Sequence, residues 1–186
     1  MKKLLATIAL VLMATPALAG NWTVDHAKSK LGFTILWDGH PFTAVFGDWT
    51  ADITFSPDDL AHASADVTIK TGSMDSGDPD TDDSVKGAYG FAVDAFPTAR
   101  FKATNFSRKG KGYEASGTLT IRGISKPIAL PFLLTVSGDM AHVTGMAKLL
   151  RTDYSVGTGE WAADKPAARE VRVTLDIIAT RTGKSR

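Results

Sequence analysis

Apolar and polar residues alternate with a period of two through much of the chain, and this pattern restricts the fold more than any other feature. In residues 117–132, GTLTIRGISKPIALPF, Leu119 and Ile121 alternate with polar neighbours, and the alternation resumes with Ile128, Leu130 and Phe132. Two such runs joined by a polar break predict a β-hairpin with one apolar face.

The polar break and one proline predict how this hairpin closes. Residues 122–127 contain Gly, Ser, Lys and Pro and are expected to form the closing turn. Pro131 does not fit the second run, because proline has no N–H to donate to a neighbouring strand. It predicts a bulge or a locally unpaired edge in the second strand.

Further runs of the same period predict about eight or nine strands, the pattern of an all-β sandwich or barrel. Two segments break the pattern. Residues 56–60, SPDDL, predict a single helical turn. Within residues 71–97 the stretch SVKGAYGFAVDAF, residues 84–96, predicts a short helix over one end of the β structure. The other runs lie at residues 31–37, 49–55, 63–69, 101–103, 113–121, 128–136, 143–149 and 171–177.

The predicted inward positions mix large aromatic residues with small ones such as Ala51, Ala65 and Ala147. An eight-stranded barrel is just wide enough to fill itself with side chains or to hold one slender ligand. Alternation reports which side a residue faces and not how tightly the faces pack. The pattern therefore leaves both a packed core and a ligand cavity open.

The first 19 residues have the three parts of a secretory signal peptide. Lys2 and Lys3 precede an apolar stretch of about ten residues, and residues 17–19 form a small-x-small cleavage site. Cleavage after Ala19 leaves residues 20–186, which is the length of one domain. The short leader without a lipobox cysteine predicts an exported protein of the bacterial periplasm.

Composition excludes several classes of function. The chain has no cysteine, so disulfides, thiolate metal sites and a cysteine nucleophile are excluded. It has 21 Lys and Arg against 20 Asp and Glu, and this balance gives no argument for nucleic acid as a partner. No stretch approaches the ~20 apolar residues that span a bilayer, so the protein is not expected to span a membrane.

Several stretches together resemble the YceI-like family of bacterial periplasmic proteins. The hairpin GTLTIRGISKPIALPF is similar to a family motif, and the other stretches occur in the family's order across residues 22–180. They are WTVDHAKSKLGFTI, VFGDWTADITFSPDDL, FAVDAFPTARFKATNF, RTDYSVGTGEW and VRVTLDI. The resemblance implies an extended, eight-stranded, antiparallel, lipocalin-like barrel with an apolar tunnel and one or two short helices.

The resemblance also implies a polyisoprenoid ligand of the ubiquinone or polyprenol type, with its tail in the barrel. One segment departs from the family pattern. In DDSVKGAYGFAVDAF the changed positions are Val85, Tyr89, Gly90 and Ala92. If this segment forms a lid over the tunnel mouth, its contacts with the ligand head group differ from those of the family.

Strand parity gives a set of candidate ligand-binding residues that line the tunnel. Phe91 and Phe96 are expected to close one end. Any single member of the set is equally compatible with an ordinary core position. The remaining candidates are Phe33, Ile35, Trp37, Trp49, Ile53, Phe101, Leu119, Ile121, Leu130, Phe132 and Leu149.

Other motifs give weaker signals. The acidic run at residues 75–83 lacks the glycine and the bidentate glutamate of an EF-hand, which favours a solvated loop that caps the next helix and leaves a looser cation site open. Four scattered histidines have no metal-ligand spacing, and His26 beside Asp25 is the most notable. No resident metal or cofactor is expected.

The sequence therefore predicts a non-catalytic periplasmic carrier or binder of an isoprenoid lipid such as a quinone. No pattern assembles a nucleophile, a base and an oxyanion hole. Arg122, Arg151 and Asp153 could hold a polar head group, although structural contacts are favoured. An enzyme on an isoprenoid substrate, a stress-related or electron-transfer module acting through its surface, and a homodimer all stay open.

Overall fold

The structure is a computed structural model that describes residues 20–163 and 166–182, so the predicted signal peptide, residues 1–19, lies outside the described residues. The described residues are mostly β-strand, with one α-helix, α1 (Pro79–Lys86). The strands are β1 (Gly20–Val24), β2 (Lys30–Trp37), β3 (His40–Phe46), β4 (Trp49–Phe55), β5 (Ser64–Lys70), β6 (Met74–Asp75), β7 (Thr98–Lys109), β8 (Gly112–Ile121), β9 (Ile124–Ser137), β10 (Met140–Leu150) and β11 (Ala167–Thr182).

The strands form one closed antiparallel barrel with eight strand positions, which confirms the predicted fold class. Three positions are each shared by two short consecutive strands, β1 with β2, β3 with β4, and β5 with β6. The last strand, β11, pairs with β2 along one half and with β1 along the other. The barrel closes where Asn21 pairs with Thr182.

Consecutive strands run up and down, so the connections gather at two ends of the barrel. The end that we call the α1 end carries the β2–β3 turn, the segment 71–97 with α1, the β8–β9 turn and residues 151–163. The opposite end, which we call the aromatic end, carries the β7–β8 and β9–β10 turns and the segment 56–63. It also carries the start of β1 and the last residues of β11.

The helical segments lie elsewhere than the sequence predicts. In segment 71–97 the helix begins at Pro79, because the Asp78 carboxylate accepts a hydrogen bond of 3.2 Å from the Asp80 N–H and caps it. It ends at Lys86, and residues 87–96 form turns instead of the predicted helix. Residues 56–59 form a turn, and the helical turn follows at Leu60–His62.

The predicted hairpin of residues 117–132 forms, but its turn is shorter than expected. Arg122 and Gly123 alone connect β8 and β9, with φ angles of 50° and 71°, the geometry of a tight two-residue hairpin. Ser125 therefore lies within β9, opposite Thr120. Pro131 pairs with Glu114 without the predicted bulge, whereas the edge of β9 towards β10 is unpaired at this residue.

Across the described residues, 20–163 and 166–182, no helix has the length and apolar character needed to cross a membrane.

Candidate functional site

The interior of the barrel holds an apolar tunnel. It consists of a larger cavity of about 790 Å³ near the α1 end and a smaller one of about 190 Å³ nearer the aromatic end. The two cavities share four lining residues, so they adjoin within the barrel. The shared residues are Leu31, Ile69, Leu119 and Val173.

A cluster of phenylalanines forms one wall of the larger cavity. The ring centroids of Phe33 and Phe46 are 5.8 Å apart, and Phe91 lies 6.1 Å from Phe33 and 5.9 Å from Phe46. These are ordinary distances for edge-to-face and tilted aromatic pairs. Because Phe91 follows α1 whereas Phe33 and Phe46 come from β2 and β3, the cluster joins the segment over the α1 end to the barrel wall.

The larger cavity has polar groups where it meets the α1 end. The Asp38 and His40 side chains from the β2–β3 hairpin line it there, as do Thr81 and Ser84 of α1. The indole rings of Trp37 and Trp161 also line this end and pack edge to face, with their centroids 6.0 Å apart. The α1 end therefore combines amphipathic aromatic rings with hydrogen-bonding groups.

The smaller cavity is lined by aliphatic and aromatic residues only. At the aromatic end Tyr113 and Phe132 stack at 5.6 Å, and the ring of Phe55 meets Tyr113 edge to face at 5.2 Å. The single polar group of Trp22, its indole N–H, donates to the carbonyl oxygen of Phe55 at 3.0 Å. This half of the tunnel suits a hydrocarbon and offers nothing to a polar group.

The structure brings nearly all predicted tunnel residues together around the two cavities. Phe96 is the exception, because it lines neither cavity of the described chain and its ring lies under the Arg122 guanidinium at 5.7 Å. The larger cavity is lined by Phe33, Ile35, Trp37, Phe91, Leu119, Ile121 and Leu149, and the smaller one by Trp49, Ile53, Phe101, Leu119, Leu130 and Phe132.

Several lining residues are absent from the set predicted by strand parity. Phe42 and Phe46 line the larger cavity from β3, and the alternation of Phe42, Ala44 and Phe46 was a usable signal for them. Trp22 and Phe55 line the smaller cavity. Trp22 lies on a strand of five residues, which is too short for a period to stand out.

Arg151 is buried and organises the segment that follows β10. Its five guanidinium N–H groups donate to six carbonyl oxygens at 2.6–3.1 Å, so one N–H of Nη2 is shared between two acceptors. The acceptors belong to the turn after β10 and to the first residues of β11, so one side chain ties both to the α1 end. They are the carbonyls of Val156, Gly157, Trp161, Ala163, Ala167 and Ala168.

Arg122 makes the corresponding contact from the β8–β9 turn. Its guanidinium donates to the carbonyl oxygens of Ala88, at 3.0 Å, and Gly90. Thr71 donates to the carbonyl oxygen of Phe96 at 2.9 Å. These bonds fix the segment between α1 and β7 over the α1 end.

Two side chains near the α1 end have shifted pKa values. Burial, assisted by the neighbouring Asp153, raises the pKa of the Tyr154 phenol, which lines the larger cavity. Burial by itself raises the pKa of Asp82. Hydrogen bonds from the N–H and hydroxyl of Ser76, with the charge of Lys86, outweigh that effect and hold the pKa below its ordinary value of 3.8.

The acidic run serves as structural capping in the fold. Asp78 caps α1, and the Asp82 carboxylate accepts both hydrogen bonds from Ser76. Within residues 20–163 and 166–182 no three acidic or histidine side chains group as metal ligands would. His26 packs edge to face on Trp49, with the ring centroids 4.4 Å apart, and Asp25 pairs instead with Lys28 at 2.7 Å.

A closed antiparallel barrel around an apolar tunnel, polar only at one end, defines the class of lipocalin-like binding barrels. The family model of the YceI-like domain matches residues 22–179 of this chain. The chain therefore belongs to the YceI-like family, as its sequence motifs predict.

The chain also has sequence relatives among UPF0312 proteins. A UPF0312 protein of Photorhabdus laumondii is 32% identical over 125 residues, which cover 66% of this chain and 65% of that protein. A UPF0312 protein of Yersinia pestis is 27% identical over 178 residues, or 91% of both chains.

Solved structures agree with the fold. The crystal structure of Burkholderia cenocepacia BcnA superposes with a TM-score of 0.82 at 31% identity and covers 85% of this chain and 100% of that one. The structure of a polyisoprenoid binding domain from Saccharophagus degradans, implicated in plant cell wall breakdown, superposes with a TM-score of 0.66 at 18% identity. It covers 89% of this chain and 99% of that one.

Proposed function

We propose that this protein is a non-catalytic carrier or binder of an isoprenoid lipid, of the quinone or polyprenol type, in the bacterial periplasm. The observation that carries the proposal is the apolar tunnel, whose smaller cavity has no ionisable side chain in its lining. A polyprenyl tail is almost pure hydrocarbon and needs a wall of this kind. The predicted leader, residues 1–19, supports the location.

The free energy of binding such a tail is large enough without a directed polar contact. Each buried CH₂ group contributes ~0.8 kcal/mol, so a five-carbon isoprene unit contributes about 3–4 kcal/mol. Association and ordering cost ~4–15 kcal/mol. A few buried units therefore suffice for micromolar binding or better.

The polar groups at the α1 end support one orientation of the ligand. The tail lies along the tunnel, and the head group lies near Asp38, His40 and Ser84, the side of the cavity that offers hydrogen bonds. The polyisoprenoid-binding domain of Saccharophagus degradans supports the class of ligand, because that domain has the same fold.

The tunnel argues against the two alternative functions, a module that acts through its surface and an enzyme on an isoprenoid lipid. A module that acts only through its surface has no use for an unfilled interior, whereas the larger cavity here measures about 790 Å³. An enzyme on the same lipid needs reactive groups that converge in the tunnel. Arg151, the guanidinium that lines it, is instead engaged by backbone carbonyls.

Mass spectrometry of organic extracts tests the proposal most directly. Protein purified natively from a periplasm is expected to carry an isoprenoid lipid, and lipid-free protein is expected to bind added long-tail quinone and return it chemically unchanged. If no such lipid co-purifies and added quinone does not bind, the carrier function is wrong. Conversion of the lipid during incubation would instead identify an enzyme.

Tryptophan fluorescence provides a test that is specific to the site. Trp37 and Trp49 line the two cavities, so added quinone is expected to quench their emission, and Phe132→Asp is expected to abolish the quenching. The matched control is Thr135→Asp, an exposed position on the outer face of the same strand. Because Phe132→Asp could disturb folding, Ala147→Phe, which fills the smaller cavity without a charge, is the second variant. Full quenching in both tunnel variants would contradict the proposed site.

A further inference from the structure

The wall of the barrel is interrupted between β9 and β10. Their ladder runs from the pair Met140 and Ser137 to the pair Gly145 and Phe132, and no later pair joins the two strands among the described residues. Both strands continue towards the α1 end, where residues 124–131 pair only with β8 and residues 146–150 only with β11. We call this unpaired boundary the seam.

Two prolines account for the seam. The carbonyl oxygen of Pro131 points to β10, since it would lie 3.0 Å from a β-carbon placed on Gly145. Backbone groups of alternate residues face the same neighbour, so those of Pro127 and Ala129 also face β10. Prolines have no N–H, and two of these three residues therefore have no donor for a ladder with β10.

The seam is apolar on the inner surface of the barrel, and on the outer surface the Lys148 ammonium pairs with Glu170 of β11 at 3.1 Å, away from β9. Ile128 and Leu130 of β9 and Ala147 and Leu149 of β10 line the tunnel. On the outer face, the exposed apolar side chains beside the seam are those of Leu133, Met146 and Leu150, which are 57%, 42% and 46% exposed. An apolar path thus crosses the wall from solvent to the tunnel.

We propose that the isoprenoid tail enters and leaves the barrel sideways through the seam, an inference that rests on the proposed function. Beyond the pair Gly145 and Phe132 no ladder pair of the described chain holds β9 to β10, so parting the strands there disrupts no paired residues, and the tail stays in contact with apolar groups. The route through the α1 end instead passes Asp38 and Thr81 and a segment that Arg151 ties down with six hydrogen bonds.

Thiol cross-linking tests the seam, because the chain has no cysteine of its own. Continuing the register of the β9–β10 ladder places Ala129 opposite Lys148, both on the outer face. The test variant is Ala129→Cys with Lys148→Cys, joined by a short bifunctional maleimide. The control is Thr135→Cys with His142→Cys, a pair on the same two strands where the ladder already holds them together.

The measured quantity is the rate at which each protein takes up a long-tail quinone from phosphatidylcholine vesicles, followed by tryptophan quenching. We expect the cross-link at the seam to slow uptake by about tenfold or more, and the control cross-link to leave it within about twofold. A second variant, Pro127→Ala with Pro131→Ala, restores the missing donors and is expected to slow uptake without a cross-linker.

The possible results separate the two proposals. If the cross-linked seam and the proline variant both take up quinone at the original rate while equilibrium binding is intact, lateral entry is wrong and the tail passes through the α1 end. If the unmodified protein binds neither quinone nor polyprenol, the proposed function fails, and lateral entry fails with it.

Discussion

Arg151 stabilises the α1 end through bonds that a lysine cannot replace. Its five N–H donors reach six carbonyl oxygens, whereas a lysine ammonium has three donors. Each buried acceptor left unsatisfied costs about 1–3 kcal/mol. We therefore expect Arg151→Lys to lower the free energy of unfolding by about 3 kcal/mol or more, measured by urea denaturation.

Arg100→Lys is the matched control for this substitution. Arg100 pairs with Asp66 on the outer surface, and such exposed pairs contribute ~0–1 kcal/mol. Hydrogen exchange in residues 151–168 should also accelerate in the Arg151 variant and not in the control. Equal stability losses in the two variants would show that the carbonyl contacts of Arg151 contribute little.

Strand parity predicts which way a side chain faces when the strand is long. It does not predict the contacts of a side chain whose partners are backbone groups. Phe33, Leu119 and Leu130 face the tunnel as their alternation indicates. The partners of Arg151 are carbonyl groups of an irregular segment, and no residue type in the sequence marks a carbonyl that will face inward. The sequence favours a structural role for Arg151, but it does not indicate which groups the side chain contacts.

At the scale of elements, α1 depends on an ionised carboxylate. Because the pKa of Asp82 is held below 3.8, its stabilising contribution is complete above that pH and is lost as the pH falls through the lowered pKa. We expect Asp82→Asn to lower the free energy of unfolding by about 1–2 kcal/mol at neutral pH. The gap to the wild-type protein should narrow as the pH falls through the lowered pKa, below 3.8.

Urea denaturation at pH 7 and at a series of pH values below 3.8 measures this difference, and Asp83→Asn is the control. Asp83 is the next residue on the same helix and is exposed. Other carboxylates with lowered pKa values, such as Asp66, titrate in both variants and cancel in the comparison. A constant gap between Asp82→Asn and the wild-type protein across the whole pH series would contradict the assignment.

The boundaries of α1 show which local sequence signals determine where a helix begins and ends. The start of α1 was readable from Asp78 and Pro79, a capping residue followed by a proline in the first turn. The predicted helix over residues 84–96 fails because Gly87 ends α1 and Gly90 follows within the same segment. Two short strands share one position in the barrel, as β1 and β2 do, because the closure of the barrel requires it. Local periodicity does not encode this closure.

At the scale of the whole molecule, a ligand that fills the tunnel must stabilise the fold. A ligand at a hundredfold excess over its Kd stabilises the native state by about 2.7 kcal/mol. For a domain of this size that corresponds to a rise in Tm of about 5–11 °C. We expect a long-tail quinone to produce this shift in lipid-free protein, measured by calorimetry.

A quinone that carries the same head group without the tail is the control ligand. It is expected to leave Tm unchanged, because most of the binding free energy comes from buried hydrocarbon. Equal shifts with both ligands would place the binding energy in the head group.

The barrel itself was predictable, whereas its open interior was not. Alternation identified the strands and their inner faces, and the family motifs fixed the number of strand positions. The residues Ala51, Ala65 and Ala147 are small in the sequence, but only the structure shows that no larger side chain fills the space beside them. Packing depends on which residues meet across the barrel, and one strand's pattern carries no such information.

The pairing of Asn21 with Thr182 has a kinetic consequence. Neighbouring strands such as β7, β8 and β9 form hairpins from local contacts, but β1 has to wait for the end of the chain before it acquires its second neighbour. Ordering contacts so distant in sequence is slow. Until β11 arrives, the surface that will become the tunnel stands exposed as a curved apolar sheet, which makes late closure the stage most vulnerable to aggregation.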